Sequence, residues 1–472
     1  MRIRLTKRAA AVAGTGVAVS MLLAACGADA IEDQSAGGDA SAGGGDAAAG
    51  DLPEIDCAPY EEFGDLSGTS VSWYTPVRAP DDADYITWVG LFEECTGVTV
   101  NYEGSAEFEA QLLVRIQSGQ APDVAMLPQP GLAASIITDN PGLAVEPPEA
   151  AVANFREYYN QAWEQYGTVD GTLYGLPNSS NAKSLVWYSP TAFEENGYEV
   201  PETWDEMVAL SDQIVEDFAD NEAVKPWCAG IGSGDATGWV ATDWMEDVML
   251  RMHGPEVYDQ WVNHEIPFND PQVASVLEEV GRFLKNPDYV NGGIGGVQSI
   301  ATTEFQAGGL PITEGQCFMH RQAAFYSTNF PEGTSVAEDG DIWAFYLPPM
   351  NEEFGRPLLG GGEVNVAFAD RPEVQAFQVF LTQPDATQAR GGIGGGNYIP
   401  PNTEFDPSVL PDPVQQLSAE LLTDPEATFR FDASDLMPGA VGAGSFWSEM
   451  TAWIAEDKSN EAVLDAIEQS WP

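Results

Sequence analysis

Apolar positions alternate with a period of two over Thr69–Thr75 (TSVSWYT), which predicts a strand. Residues 83–96 carry the helical period, and Val98–Tyr102 returns to alternation as a second strand. Glu107–Ser118 is helical in pattern and stopped by Gly119, and Pro122–Leu127 is a short apolar strand. Strand–helix–strand–helix–strand predicts a parallel, doubly wound α/β sheet. Ligand clefts in such sheets lie beyond the carboxyl ends of the strands, so Trp73–Arg78 and Leu127–Gln129 become site candidates.

Further along, Asp170-Gly171 marks a tight turn and Ser184–Tyr188 a strand. Thr203 followed by Glu206 predicts a capping box at a helix start. Met245, Val248, Met249 and Met252 share one face of a helix stopped at Gly254-Pro255. That face predicts core filling. A third helix starts at Asp270-Pro271, buries Val273, Val276, Leu277, Val280, Phe283 and Leu284, and ends by Pro287. Gly360-Gly361-Gly362 leads into an alternating strand, Glu363–Phe368. The glycine-rich runs 292–296 and 391–396 fit neither the dinucleotide fingerprint nor the P-loop and read as loops. No internal repeat is present.

The amino terminus changes the picture. Arg2, Arg4, Lys7 and Arg8 precede an apolar run over 9–25, so 1–25 reads as an export signal. Leu23-Ala24-Ala25-Cys26-Gly27 resembles the bacterial lipobox, which implies cleavage before Cys26 and lipid on that residue; an ordinary signal peptide is the plainer alternative. Residues 26–51, rich in Gly, Ala, Ser and Asp, form an acidic linker with no face to bury. Together these place the body outside the cytoplasmic membrane, anchored to its outer face. Cys57, Cys95, Cys228 and Cys317 remain, an even count that favours two disulfides. Three connectivities exist; Cys57–Cys95 and Cys228–Cys317 are expected, because each pair then stays within one lobe.

Composition narrows the function. The 472 residues suggest two or three domains or two large lobes. Lys and Arg total 18 against 74 Asp and Glu, a net charge of −56, which excludes nonspecific nucleic-acid binding and disfavours docking on anionic lipid. The acid is spread along the chain and reads as a solvating surface. The three histidines form no H-E-x-x-H, and no G-x-S-x-G elbow occurs. Asp81-Asp82-Ala83-Asp84 lacks EF-hand spacing and reads as a helix start. No metal or cofactor is indicated. A glycosidase using two carboxylates stays open, because acids are so numerous.

Several motifs in order carry a resemblance: Ser118-Gly119-Gln120-Ala121-Pro122-Asp123-Val124, Tyr174-Gly175-Leu176-Pro177, Pro201–Glu206, Leu358–Gly362, Met437-Pro438 and Phe446-Trp447. They resemble the extracellular solute-binding proteins of carbohydrate ABC importers, the family of maltose-binding protein, over most of 68–472. The stretch Trp227-Cys228 through Gly238-Trp239 and Asp243-Trp244, with Cys317, looks most like the α-glucoside binders. The resemblance implies a two-lobed periplasmic-binding-protein fold with a multi-strand hinge. One lobe would use 52–174 and 349–384, the other 175–348 and 385–472. A sugar would be clamped between them and passed unaltered to the importer's permease, with the same fold holding a non-sugar solute such as a polyamine or peptide as the alternative.

Sugars offer apolar faces to aromatic rings and hydroxyls to planar polar groups. Met-Pro, six residues, then Ser-Phe-Trp makes Trp447 the implied stacking ring, against a core tryptophan; Thr451 stands where the relative carries a basic residue. Trp239, with Ser233 and Asp235 before it, is assigned to the cleft, against a turn with a packed ring. Asn181 matches a sugar-binding carboxylate, and Arg321 falls where the relative places another aromatic, against a salt-bridge role. Gln129, Trp73, Thr75, Gly361, Gly362 and Glu363 complete the set from strand-end geometry and their places in the pattern.

Overall fold

The computed structural model describes residues 53–393, 398–424 and 426–472. The signal 1–25, Cys26 and the linker 26–51 lie outside the described residues, and the rest of the chain, Asp51–Pro472, forms one unit. The predicted first strands and helices are present, β1 (Ser70–Thr75), α1 (Ala83–Thr96), β2 (Thr99–Gly104), α2 (Phe108–Gln117) and β3 (Val124–Leu127), and a helix not read from the sequence, α3 (Pro130–Asp139), follows them. β1 pairs in parallel with β2 and with β3, as the alternating strand–helix pattern requires.

The sheet is mixed rather than wholly parallel. Strand Arg356–Ala367 enters antiparallel to β3 and to Gly175–Ala182, and pairs in parallel with Ala427–Phe431. Six strands result. A second, four-stranded sheet runs Trp343–Tyr346, Leu185–Tyr188, Cys317–Arg321, Lys225–Trp227, and only its last pair is parallel. The long paired strands Gly175–Ala182 and Arg356–Ala367 connect the half built on one sheet with the half built on the other. The glycines read as a lead-in therefore sit inside a 12-residue strand, with a register shift between Gly362 and Val364. A Cβ on Gly362 would stand 2.1 Å from the Ser179 carbonyl oxygen, so only glycine lets the two backbones meet there.

Each half has its own core. Trp73, Tyr85, Trp88, Phe92, Phe377 and Phe380 fill one side of the six-stranded sheet. Met245, Val248, Met249, Val273, Val276, Leu277 and Phe283 fill the other half, as the helical periods predict. The Thr203–Glu206 capping box forms at Trp204–Asp217, and Asp270 caps Pro271–Leu284 through the Gln272 amide. The helix expected to end at Gly254 instead kinks there, with Gly254 at φ 79°, and continues to Val262. Helix Pro384–Ile393 packs Ala386 and Ala389 into the core of the first half, and Arg390 lies over the Tyr85 and Tyr398 rings. This segment runs past the boundary at 384 read from the sequence.

Both expected disulfides form, Cys57–Cys95 and Cys228–Cys317, with Cα separations of 5.4 and 5.8 Å. Among the described residues no helix is long and apolar enough to cross a membrane.

Candidate functional site

A cavity with about 960 Å³ of empty space, part of it open to solvent, lies beyond the carboxyl ends of β1, β2 and β3. The first half contributes Arg78, Asp81, Glu109 and Gln129; the crossing strands and their link contribute Asn181, Lys183, Gly362 and Glu363. The second half contributes Ser233, Trp239, Phe305, Phe325, Asp435 and Trp447. This is where the open-sheet rule places a ligand.

One wall is aromatic. The Trp239 ring meets Phe305 edge-on at 5.2 Å and Phe325 at 6.1 Å, and the Lys183 ammonium lies 5.4 Å from its centre. Trp447 is only 3% exposed, yet its side borders the cavity, and its Nε1 donates to Ser434 Oγ at 3.3 Å. The two tryptophans open two helices, Trp239–Val262 and Trp447–Ala455, whose starts touch. Gly238 allows this: its φ is +119°, and a Cβ would sit 2.2 Å from the Trp447 carbonyl oxygen. Thr451 donates to the Trp447 and Thr237 carbonyls and so locks the same junction.

The opposite wall and floor are polar and acidic. Gln129 Nε2 donates to Glu109 Oε1 at 3.0 Å, while Gln129 Oε1 and Asn181 Oδ1 are buried without a partner among the described residues. Burial pushes the Glu109 carboxyl up to about 7, against a backbone hydrogen bond and with Asp235 adding to the rise. Glu363 is likewise pushed up to about 7 by burial, offset by bonds from Ser179 and Asn178. Asp81 is raised to about 6 by burial, offset by the Thr328 hydroxyl.

Beneath the floor the charges are matched. Lys183 Nζ bonds Asp243 at 3.0 Å and also Asp432. Arg321 bonds Asp243 and Asp247, each at 2.9 Å, and Arg251 bonds Asp247 and the Leu347, Pro348 and Pro357 carbonyls. Asp243, Glu246 and Asp432 bring carboxylate oxygens within 4.8 Å of one another, a set that could ligate a cation. The Lys183 ammonium already bonds two of them, and Glu246 accepts from the Ala433 and Ser434 amides. Burial, then the charges of Asp432 and Asp243, hold Glu246 well above the usual carboxyl range.

Of the residues singled out from sequence, Gln129, Asn181, Ser233, Trp239, Gly362, Glu363 and Trp447 line the cavity. Five do not. Arg321 is spent in the buried ion network: it is 1% exposed, pairs with Asp243 and Asp247, and does not reach the cavity lining. Trp73 is fully buried among Tyr85, Trp88, Tyr102 and Phe377, its Nε1 bonded to Asn365 at 3.0 Å. Alternation explains this, since the inward residues of a covered strand pack rather than reach its end. Thr75 accepts the Val77 amide at 3.0 Å and shapes the turn. Gly361 stands beside the Lys183 stem. Asp235 accepts the Ala110 amide at 2.7 Å, across the cavity mouth. Arg78, inside the stretch Trp73–Arg78 read as a site candidate, lines the cavity, whereas Asp81, Glu109, Lys183, Phe305, Phe325 and Asp435 were missed as lining residues. Glu109 was within reach, since it opens the helix that follows β2.

Residues 87–421 match the family described as bacterial extracellular solute-binding protein. The chain is 41% identical over 385 residues to "Osmoprotective compounds-binding protein GgtB" of a Synechocystis species, covering 81% of this chain and 87% of that one. It is 39% identical over 436 residues to "Alpha-glucosides-binding periplasmic protein AglE" of Rhizobium meliloti, covering 89% and 92%. Among solved structures, the bacterial solute receptor AcbH aligns with a TM-score of 0.70 at 16% identity, over 85% of this chain and 98% of that one. RafE in complex with raffinose aligns at 0.63 and 15% identity, over 85% and 98%. Fold, cavity position and sequence similarity agree: the chain belongs to the bacterial extracellular solute-binding protein family.

Proposed function

We propose that this protein is the sugar-capturing component of an ABC importer, with an α-glucoside as its first candidate cargo. One observation carries the reading: an aromatic wall of Trp239, Phe305, Phe325 and Trp447 faces buried acceptor oxygens of Gln129 and Asn181. Rings suit the apolar face of a pyranose, and orphan acceptors suit its hydroxyls. The name of one relative, an α-glucosides-binding periplasmic protein 39% identical over 436 residues, supports an α-glucoside.

In this reading two lobes, 52–174 with 349–384 and 175–348 with 385–472, close on the sugar about the crossing strands. Helix Pro384–Ile393 moves with the former lobe, whose core it shares. Lipid on Cys26 and the linker 26–51 would hold the body near the permease. The protein releases its cargo unchanged rather than cleaving it.

Tryptophan fluorescence titrated with maltose, trehalose, sucrose and raffinose tests the reading. A saturable change with at least one sugar, recovered intact afterwards, is expected. Silence across the panel, or hydrolysis products, overturns it. Mass spectrometry of the mature amino terminus tests the anchor, which predicts a diacylglyceryl-modified Cys26.

A further inference from the structure

Glu109 sits in the first turn of α2 and lines the cavity, where its carboxyl touches Gln129 rather than a cation. An ionised carboxylate has no hydrogen to offer. It therefore dictates which end of the Gln129 amide it meets: Nε2 turns toward Glu109, and Oε1, on a side chain that lines the cavity, is left buried with no partner among the described residues. We infer that Glu109 is a positioning residue for ligand recognition, holding the Gln129 oxygen toward the cavity so that the site takes a guest that presents an O–H or N–H donor there. The inference rests on the sugar-capture reading above and adds to it the polarity of one subsite.

The surroundings of Glu109 make that polarity conditional. Asp235 faces it from the opposite loop, and Asp435 lies near enough to feel its charge. The cations nearby point elsewhere: Arg115 of the same helix pairs with Glu103, and Lys183 is bonded to Asp243 and Asp432. Arg78 lines the same cavity and lies beside Asp81. With burial holding the Glu109 carboxyl at about 7, it exchanges near neutrality between a pure acceptor and an acid. As an acid it can donate to Gln129 Oε1 and let the amide turn its Nε2 to the guest. Acceptor polarity at this subsite is therefore firm above pH 7 and fades below it.

Calorimetric titration of the intact protein with maltose, trehalose and sucrose at pH 6 and pH 8 tests this. The sugar that binds the wild type should bind several-fold more tightly at pH 8. Glu109→Gln, which does not titrate and like the protonated acid can offer a hydrogen to Gln129, should lose the pH step and bind at pH 8 as weakly as the wild type does at pH 6. Glu109→Met should lose about tenfold, the order expected for a mispaired buried amide. Combining it with Gln129→Leu should cost no more than Gln129→Leu alone, because the two residues act as one unit. If Glu109→Met fails to fold, the pH profile of Glu109→Gln decides. An unchanged pH step in Glu109→Gln, or additive losses in the double variant, overturns the inference while leaving sugar capture standing. Failure of the wild type to bind any of these sugars or raffinose instead overturns the ligand reading and this inference with it.

Discussion

Two sets of buried carboxylates lie on either side of the cavity floor, and they are treated differently. Below it, Asp243, Asp247 and Asp432 are ion-paired with Lys183, Arg251 and Arg321, although burial still lifts Asp243 to about 7 and holds Glu246 beside them well above the usual carboxyl range. Burial opposes the charge on Asp247, yet Arg251 and Arg321 hold its carboxyl below the ordinary range. Above the floor, Glu109, Glu363 and Asp81 are bonded to amides and hydroxyls, and burial pushes each one up. The chain has acid to spare everywhere. It places its scarce cations where they tie the second half to the crossing strands and leaves the cavity short of positive charge. The matched set builds the floor; the unmatched set is free to meet a guest.

Removing one member of the matched set should have the largest effect. Arg321→Met strands Asp247 and part of Asp243 in a fully buried setting, and breaking such a network costs about 3–5 kcal/mol. Denaturant unfolding measures it, and the molecules that stay folded should still bind sugar, since Arg321 does not reach the cavity. A loss below about 1 kcal/mol would erase the distinction between the two sets.

Glu363 tests the unmatched set through pH. Its folded pKa of about 7 lies above its ordinary 4.5, so the folded state binds more protons than the unfolded one between those values. Stability from this group is therefore fully present below pH 4.5 and is lost as pH rises through 7, by about 3 kcal/mol. Glu363→Gln should flatten that decline, raising the unfolding midpoint at pH 8 relative to wild type but not at pH 4. An equal shift at both pH values would mean that Glu363 behaves as a packed group rather than an unmatched acid.

The aromatic wall gives a smaller effect, on binding. Trp239→Ala removes a ring that meets Phe305 and Phe325, and it should weaken sugar affinity by about 1–2 kcal/mol, roughly tenfold. Calorimetry reads this directly. If Trp239→Ala bound as tightly as wild type, the hydrophobic side of the cavity would not contribute to recognition.

Much of this arrangement was legible in the sequence because it follows from local periods and strand ends. The β1–α1–β2–α2–β3 run, the Thr203 capping box and the carboxyl-end position of Gln129 need no long-range knowledge. Trp239 and Trp447 came from motif order, and their contact is enforced by Gly238. What the sequence hid are pairings across long separations. Arg321 finds Asp243 and Asp247 more than seventy residues away, and nothing local tells a network arginine from a ligand arginine. Phe305 and Phe325 reach the cavity from irregular segments with no readable period. Helix Pro384–Ile393 joins the first core because the chain crosses back through Arg356–Ala367, a route that no hydrophobic pattern reveals.

Asp235 supplies the smallest and most discriminating effect. The α2 helix has no capping side chain of its own, and the Asp235 carboxylate from the second half accepts the Ala110 amide in its first turn. A cap supplied across the cavity mouth exists only when the two halves are together, so its energy favours the closed arrangement rather than the fold of either half. Gly234 beside it fits against the Ala106 carbonyl, where a Cβ would come within 2.4 Å, and so lets the loop reach that far. Asp235→Ala should therefore cost about 1 kcal/mol of closure, the usual worth of a cap, and weaken sugar binding about fivefold. The unfolding midpoint of the sugar-free protein should move little if it rests largely open in solution. Small-angle scattering of the sugar-free variant should then show the same radius as wild type, the difference appearing only at sub-saturating sugar. A drop in stability with affinity intact would instead make Asp235 an ordinary fold contact, and the comparison between the two sides of the floor would stop short of the cavity's rim.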